Sequence, residues 1–208
     1  MFHLIIRRSI ILVGLLSFLN AEIIDSIKIC AIRVSFNEDD LASTTGSGNF
    51  LLESEGIDCD SYTIDPAPHD KDYFESQIMA LDSYFSSVSY EKFGINIEGS
   101  DVFPSSQNGS YQLSKKMNYY NPYSENDLQE GRITELFQES IIIAFKEDSI
   151  NFSSFDLVVV FHAGIGQDFS LPFLDPTPED IPSTYVDQKM ISNNLNESGI
   201  IIGEHLID

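Results

Sequence analysis

The chain has 208 residues, with 33 aspartates and glutamates against 11 lysines and arginines, a formal net charge of −22. A surface of that sign repels nucleic-acid phosphates and anionic lipid, which sets aside both as partners. Two cysteines far apart in sequence make no zinc motif, and 42% apolar residues are enough for one domain with a real core.

Arg7 and Arg8 precede an apolar run from Ser9 to Leu19, and Leu19-Asn20-Ala21 places a small residue before Glu22. That order is the pattern of a secretory signal peptide cut after Ala21. The run is shorter than the roughly 18–20 apolar residues a bilayer span needs. The expected organisation is therefore a signal peptide over 1–21 and one domain over 22–208, exported to the extracellular space and not membrane-held after cleavage. The cut removes two basic residues and no acids, so the mature chain stands at 9 − 33 = −24. Solvation in a salty setting is the plain account of that charge. Calcium held by acidic loops such as Asn37-Glu-Asp-Asp40 is the sharper one, although no EF-hand spacing occurs.

In chain order, Ile27 to Phe36 reads as an interior strand, with Ile27, Ile29, Ala31 and Arg33 on one face and Cys30, Ile32, Val34 and Phe36 on the other. The residues from Asn37 to Pro68 read as a long loop, with a short hairpin around Phe50–Leu52 and Tyr62–Ile64. Cys30 and Cys59 permit one disulfide in an exported protein, and a buried free thiol suits Cys30 equally well. Asp70 then caps a helix in which Phe74, Ile78, Leu81, Phe85 and Val88 form one stripe, with Gly94 as its stop. His69 belongs to that cap. A second strand, bent near Gly99, spans Ile95 to Phe103.

Tyr111 to Tyr123 is a polar, aromatic loop whose tyrosines suit either a cleft or a sheet edge. Ser124-Glu-Asn-Asp127 resembles a capping box and opens a helix to about Phe145, burying Leu128, Ile133, Leu136, Phe137, Ile141 and Phe145. The apolar run Leu157–Phe161 suits a strand buried on both faces. It opens into His162-Ala-Gly-Ile-Gly-Gln-Asp168, and α/β folds place chemistry just beyond such a strand end. His162, Gly164 and Gly166 are the candidate cleft loop, the glycines for a tight backbone path and His162 either facing the cleft or bonding the loop. Asp168 and Asp175 are loop acids able to bind a cation or simply be solvated. Four prolines exclude regular structure as far as Pro182, Tyr185–Val186 is extended, and Gly199–Gly203 begins another strand. The sum is an α/β (α+β) unit: a twisted mixed sheet with two long helices.

Several stretches resemble one family: Cys30-Ala-Ile-Arg-Val-Ser-Phe36, Thr44-Thr-Gly-Ser-Gly48, Asp65-Pro-Ala-Pro-His-Asp70, Tyr73-Phe74, Tyr84-Phe-Ser-Ser-Val-Ser89, Asp156-Leu-Val-Val-Val-Phe-His-Ala-Gly-Ile-Gly-Gln167 and Asp180-Ile-Pro-Ser183. In this order they resemble the amino-terminal half of the metallopeptidase-like domain of secreted bacterial proteins of the M6 (immune inhibitor A-like) family. The resemblance covers most of residues 27–187. It implies a zincin-like amino-terminal subdomain, followed in the family by a helix bearing His-Glu-x-x-His, whose histidines bind zinc while the Glu activates water.

This chain has no such motif. Its histidines are His3, His69, His162 and His205, and an inverted motif at Glu204-His205 lacks its first His because Ile201 stands there. No catalytic or metal-ligating residue is therefore assigned. Truncation before the zinc helix is the expected reason, with zinc and a protein or peptide substrate belonging only to a full-length protein. A non-catalytic secreted binding or adhesion module on the same fold is the alternative. His162-Ala-Gly-Ile-Gly166 also has a loose likeness to the oxyanion loop of serine hydrolases, but no Gly-x-Ser-x-Gly elbow accompanies it.

Overall fold

In the computed structural model of the chain, the residues described are 25–53, 66–123, 125–167, 176–195, 200–202 and 205–207. The alternating apolar stretch near the start becomes strand β2 (Ile29–Ser35), buried at all seven positions, preceded by the short β1 (Asp25–Ile27). Along one edge β2 pairs in parallel with β4 (Asp101–Phe103) and then β5 (Tyr111–Gln112). Along the other it pairs in parallel with β6 (Leu157–His162), from Ile29↔Leu157 to Val34↔His162. A smaller parallel pair joins β1 to β3 (Phe93–Ile95). All described strands of the main sheet are parallel; antiparallel pairing is confined to the hairpin of β7 (Ile200–Ile202) and β8 (His205–Ile207).

Parallel neighbours need crossovers, and two long helices supply them. Helix α1 (Lys71–Val88) starts at Asp70, whose carboxylate accepts the Tyr73 N–H at 3.0 Å. Phe74 and Ile78 pack with Ile29, Ala31, Ile95 and Val102 on one face of the sheet. The four-residue α2 (Met117–Tyr120) and the long α3 (Asn126–Asp148) lie on the other face, where Met117, Ile133, Leu136 and Ile141 meet Cys30, Ile32, Val34 and Phe36. The two faces of β2 separate as its alternation requires. Each such side chain contributes about 1.5–3 kcal/mol on burial. The architecture is mixed α/β, a parallel sheet between helical layers.

Several expectations are corrected. Leu81 and Val88 are 36% and 55% exposed; of the stripe, Phe74 and Ile78 are buried in the core and Phe85 packs partly buried against it. Gly94 lies in β3; the helix ends at Ser89, whose hydroxyl takes the N–H groups of Lys92 and Phe93, while Tyr90 and Glu91 adopt positive φ. Phe50–Leu52 forms no strand, and Tyr62–Ile64 lies outside the described residues. The bend near Gly99 is a 3-10 turn separating β3 from β4, which join different strands. Glu125, not Ser124, precedes α3, without a side-chain cap, and Leu128 is 42% exposed. β6 is only half-buried, since among the described residues no strand pairs its outer edge. Helix α4 (Gln188–Leu195) stands where no element was expected.

Candidate functional site

The carboxyl ends of β2 and β6 lie side by side, and three loops meet there. The first leaves β2 and returns on itself: the Phe36 N–H bonds the Gly48 carbonyl at 2.8 Å and the Asp39 N–H bonds the Ser47 carbonyl at 3.2 Å. Gly48, at φ +88°, sits where a Cβ would stand 3.1 Å from the Asn37 carbonyl oxygen. The second loop continues β6, the Ala163 N–H bonding the Val34 carbonyl at 3.0 Å. At Gly164, φ is +91° and a Cβ would come within 2.5 Å of Met117 Cε and 3.1 Å of the Thr45 carbonyl oxygen, so only glycine fits.

The third segment, 176–183, is tied to both. Asp180 is buried, and its two carboxylate oxygens each accept a 2.6 Å bond from Thr45, one from the N–H and one from the hydroxyl. The Glu179 N–H bonds the Ser43 carbonyl at 2.9 Å, and the Ser43 hydroxyl donates to the Glu179 carboxylate. The Gln167 N–H bonds the Ile181 carbonyl at 3.0 Å. Buried Asn121 joins them, its amide donating to the Asp180 carbonyl at 2.5 Å and to Gln167 Oε1 at 3.1 Å while accepting from Gln129 Nε2 at 2.5 Å. Three stretches far apart in sequence are thereby fixed as one wall.

Beside that wall runs a cleft of about 1110 Å³ along β6, lined in part by Phe137 of α3, Val158, Val160 and His162 of β6, Ile181 and Val186. The Leu157 and Ala163 N–H groups point to β2, at Lys28 and Val34. Strand alternation then turns the backbone groups of Val158, Val160 and His162 to the cleft. This is an apolar trough along a strand edge that no other strand covers among the described residues, a shape suited to an extended peptide.

The candidate loop residues are brought together here. His162 lines the cleft, and its Nδ1 lies 3.0 Å from the Ala163 carbonyl oxygen. Gly166 also lines the cleft, but the left-handed backbone belongs to Gly164. His69 stacks near Tyr73, centroids 4.9 Å apart, at the start of α1. Cys30 is a buried free thiol whose pKa is pushed up to about 12, first by burial and then by Asp101; Cys59 lies outside the described residues, as do Asp168 and Asp175. Among the described residues no three His, Cys, Asp or Glu side chains converge as a metal site. Also among those residues, no helix is long and apolar enough to cross a membrane. Asn121, Thr45 and Asp180 were not singled out from the sequence; their stretches stood out, but nothing local marks Asp180 as the partner of Thr45.

Compared with known proteins, the chain matches no family model, no curated protein and no solved structure.

Proposed function

We propose that the chain is the amino-terminal part of a secreted, zincin-like metallopeptidase domain of the M6 (immune inhibitor A-like) type, supplying the sheet and one wall of a peptide cleft. Proteolysis and zinc belong to the full-length protein in this reading. The observation that carries it is convergence: three of the stretches on which the resemblance rests, around Thr45, Gly164 and Asp180, are hydrogen-bonded or packed into one structure beyond the parallel strands. The experiment is to read the coding frame past Asp208. A His-Glu-x-x-His run within the following several dozen codons is expected, and a stop codon would overturn the proposal. Residues 22–208, purified, should show no chelator-sensitive cleavage of casein.

A second reading, a non-catalytic secreted binding or adhesion module, has in its favour the outer edge of β6, which no strand pairs among the described residues. A cleft with strand groups facing it can hold a peptide without any metal. A stop codon after Asp208, together with capture of an extended peptide by the purified chain, would favour this reading over the first.

A further inference from the structure

The loop that joins β4 to β5 carries the one Asn-Gly pair of the chain, Asn108-Gly109; every other asparagine is followed by a residue with a side chain. In such a pair the main-chain nitrogen approaches the preceding side-chain amide with least hindrance, because glycine has no Cβ. Asn108 is exposed, and among the described residues its side chain meets no hydrogen-bond partner. The neighbouring nitrogen is held loosely. The Gly109 N–H bonds the Ser106 carbonyl at 3.3 Å, beyond the usual range for such a bond, closing a turn with Gln107 and Asn108 at its centre.

The chain is fixed on both sides of this pair. Before it, the Gln107 carbonyl accepts Arg33 Nη1 at 2.9 Å and the Lys71 N–H at 2.8 Å, while Gln107 Nε2 donates to Asp70 at 3.0 Å. After it, the Ser110 hydroxyl donates to that of Ser35 at 3.0 Å, and Tyr111 stands in register with Val34 of β2. Between these anchors the bond on the Gly109 nitrogen is the long one. Freeing that nitrogen is a local opening that disturbs neither the Arg33 clamp nor the strand.

We propose that Asn108 is a site of non-enzymatic modification, deamidating through a succinimide with Gly109 while the chain stays folded. The Gly109 nitrogen bonds Asn108 Cγ as the Cγ–Nδ2 bond breaks, and Nδ2 leaves as ammonia with the proton of the Gly109 N–H. Water then opens the imide at either carbonyl. Opening at Cγ gives aspartate at position 108. Opening at the main-chain carbonyl gives isoaspartate, in which the chain runs through the former side chain and gains a methylene carbon. Either product adds negative charge to a chain already at −22. Isoaspartate also lengthens a link pinned at one end by Arg33 and at the other by β5, so the added carbon bulges outward at the exposed turn. This inference is independent of the peptidase reading, since it uses neither a zinc site nor the cleft.

The test is mass-spectrometric mapping of the fragment that contains Asn108 after the purified, folded chain has stood in neutral buffer, with isoaspartate counted by enzymatic methylation. The expected result is conversion of that amide to acid, with ammonia released and both aspartate and isoaspartate formed. Its rate exceeds that at any other asparagine by at least about tenfold, equivalent to a barrier lower by about 1.4 kcal/mol. Asn108→Gln, whose longer side chain must close a larger ring, abolishes it. Conversion no faster at 108 than elsewhere overturns the proposal, as does aspartate formed without isoaspartate, which marks direct hydrolysis. A folded chain that keeps its amide while the urea-unfolded chain loses it also overturns it, because the turn then protects Gly109. If Asn108→Gln does not fold, the unaltered chain decides by the position and product ratio of its own modified fragment.

Discussion

Arg33 shows how one residue sets the local structure. It is fully buried on the α1 face of β2, and its guanidinium donates to the carbonyls of Pro104, Ser106 and Gln107 at 2.6, 2.7 and 2.9 Å. Burial pulls its pKa below the ordinary arginine value, with Asp70 opposing that pull. The planar fork reaches three acceptors at once, which a lysine ammonium on a flexible stem does not reproduce. Arg33→Met strands three carbonyls and is expected to cost about 3–5 kcal/mol in urea unfolding, with Arg33→Lys recovering only part. An Arg33→Met variant as stable as the unaltered chain would mean that the 104–107 loop finds other donors. The face that Arg33 occupies was legible from alternation alone; its partners were not, because they are backbone atoms more than seventy residues away.

Among the elements, β2 and α1 were legible because each carries its own periodicity, and Asp70 its own cap. β6 was legible as a strand but not in its setting. A run such as Val158-Val-Val-Phe161 reports composition, whereas burial depends on how many neighbours the strand acquires. Helix α4 escaped notice because Gln188–Leu195 is mostly polar and buries only Ile191. The loop after the strand was legible, and a tight backbone path at its glycines was expected at Gly164 and Gly166 alike, whereas only Gly164 takes a positive φ. The closure of the site by Asp180 and Asn121 was not legible, since long-range hydrogen bonds leave no local pattern. The edge of β6 yields a direct test. Amides of residues 157, 159, 161 and 163 face β2, and those of 158, 160 and 162 face the cleft, by alternation from the Leu157 and Ala163 bonds to Lys28 and Val34. Hydrogen exchange should therefore alternate along β6, fast at 158 and 160 and slow at 157, 159 and 161. Uniform protection would show that the outer edge is paired.

For the molecule as a whole, the core holds three weak acids whose pKa values burial raises. Cys30 is raised to about 12, chiefly by burial and then by Asp101. Burial also raises Tyr111 and Tyr120 above the usual tyrosine range, helped by hydrogen bonds to Asp148 and Glu139 respectively. All three have folded-state pKa values above those of the unfolded chain, which are about 8.5 for cysteine and about 10 for tyrosine. Their contribution is thus complete below those unfolded values and is lost as pH rises toward the folded ones. Each group, once past its unfolded pKa, lowers the unfolding free energy by up to about 1.4 kcal/mol per pH unit. Stability measured by urea unfolding should be insensitive to these groups near pH 7, start to fall above about pH 8.5, and steepen above about pH 10. Cys30→Ala removes the first ionisation and moves the onset to the tyrosine range, at the cost of a small cavity beside Ile32 and Val158. An onset unchanged by that substitution would assign the alkaline loss to the surface charge instead, where self-repulsion grows with every proton released and weakens with added salt.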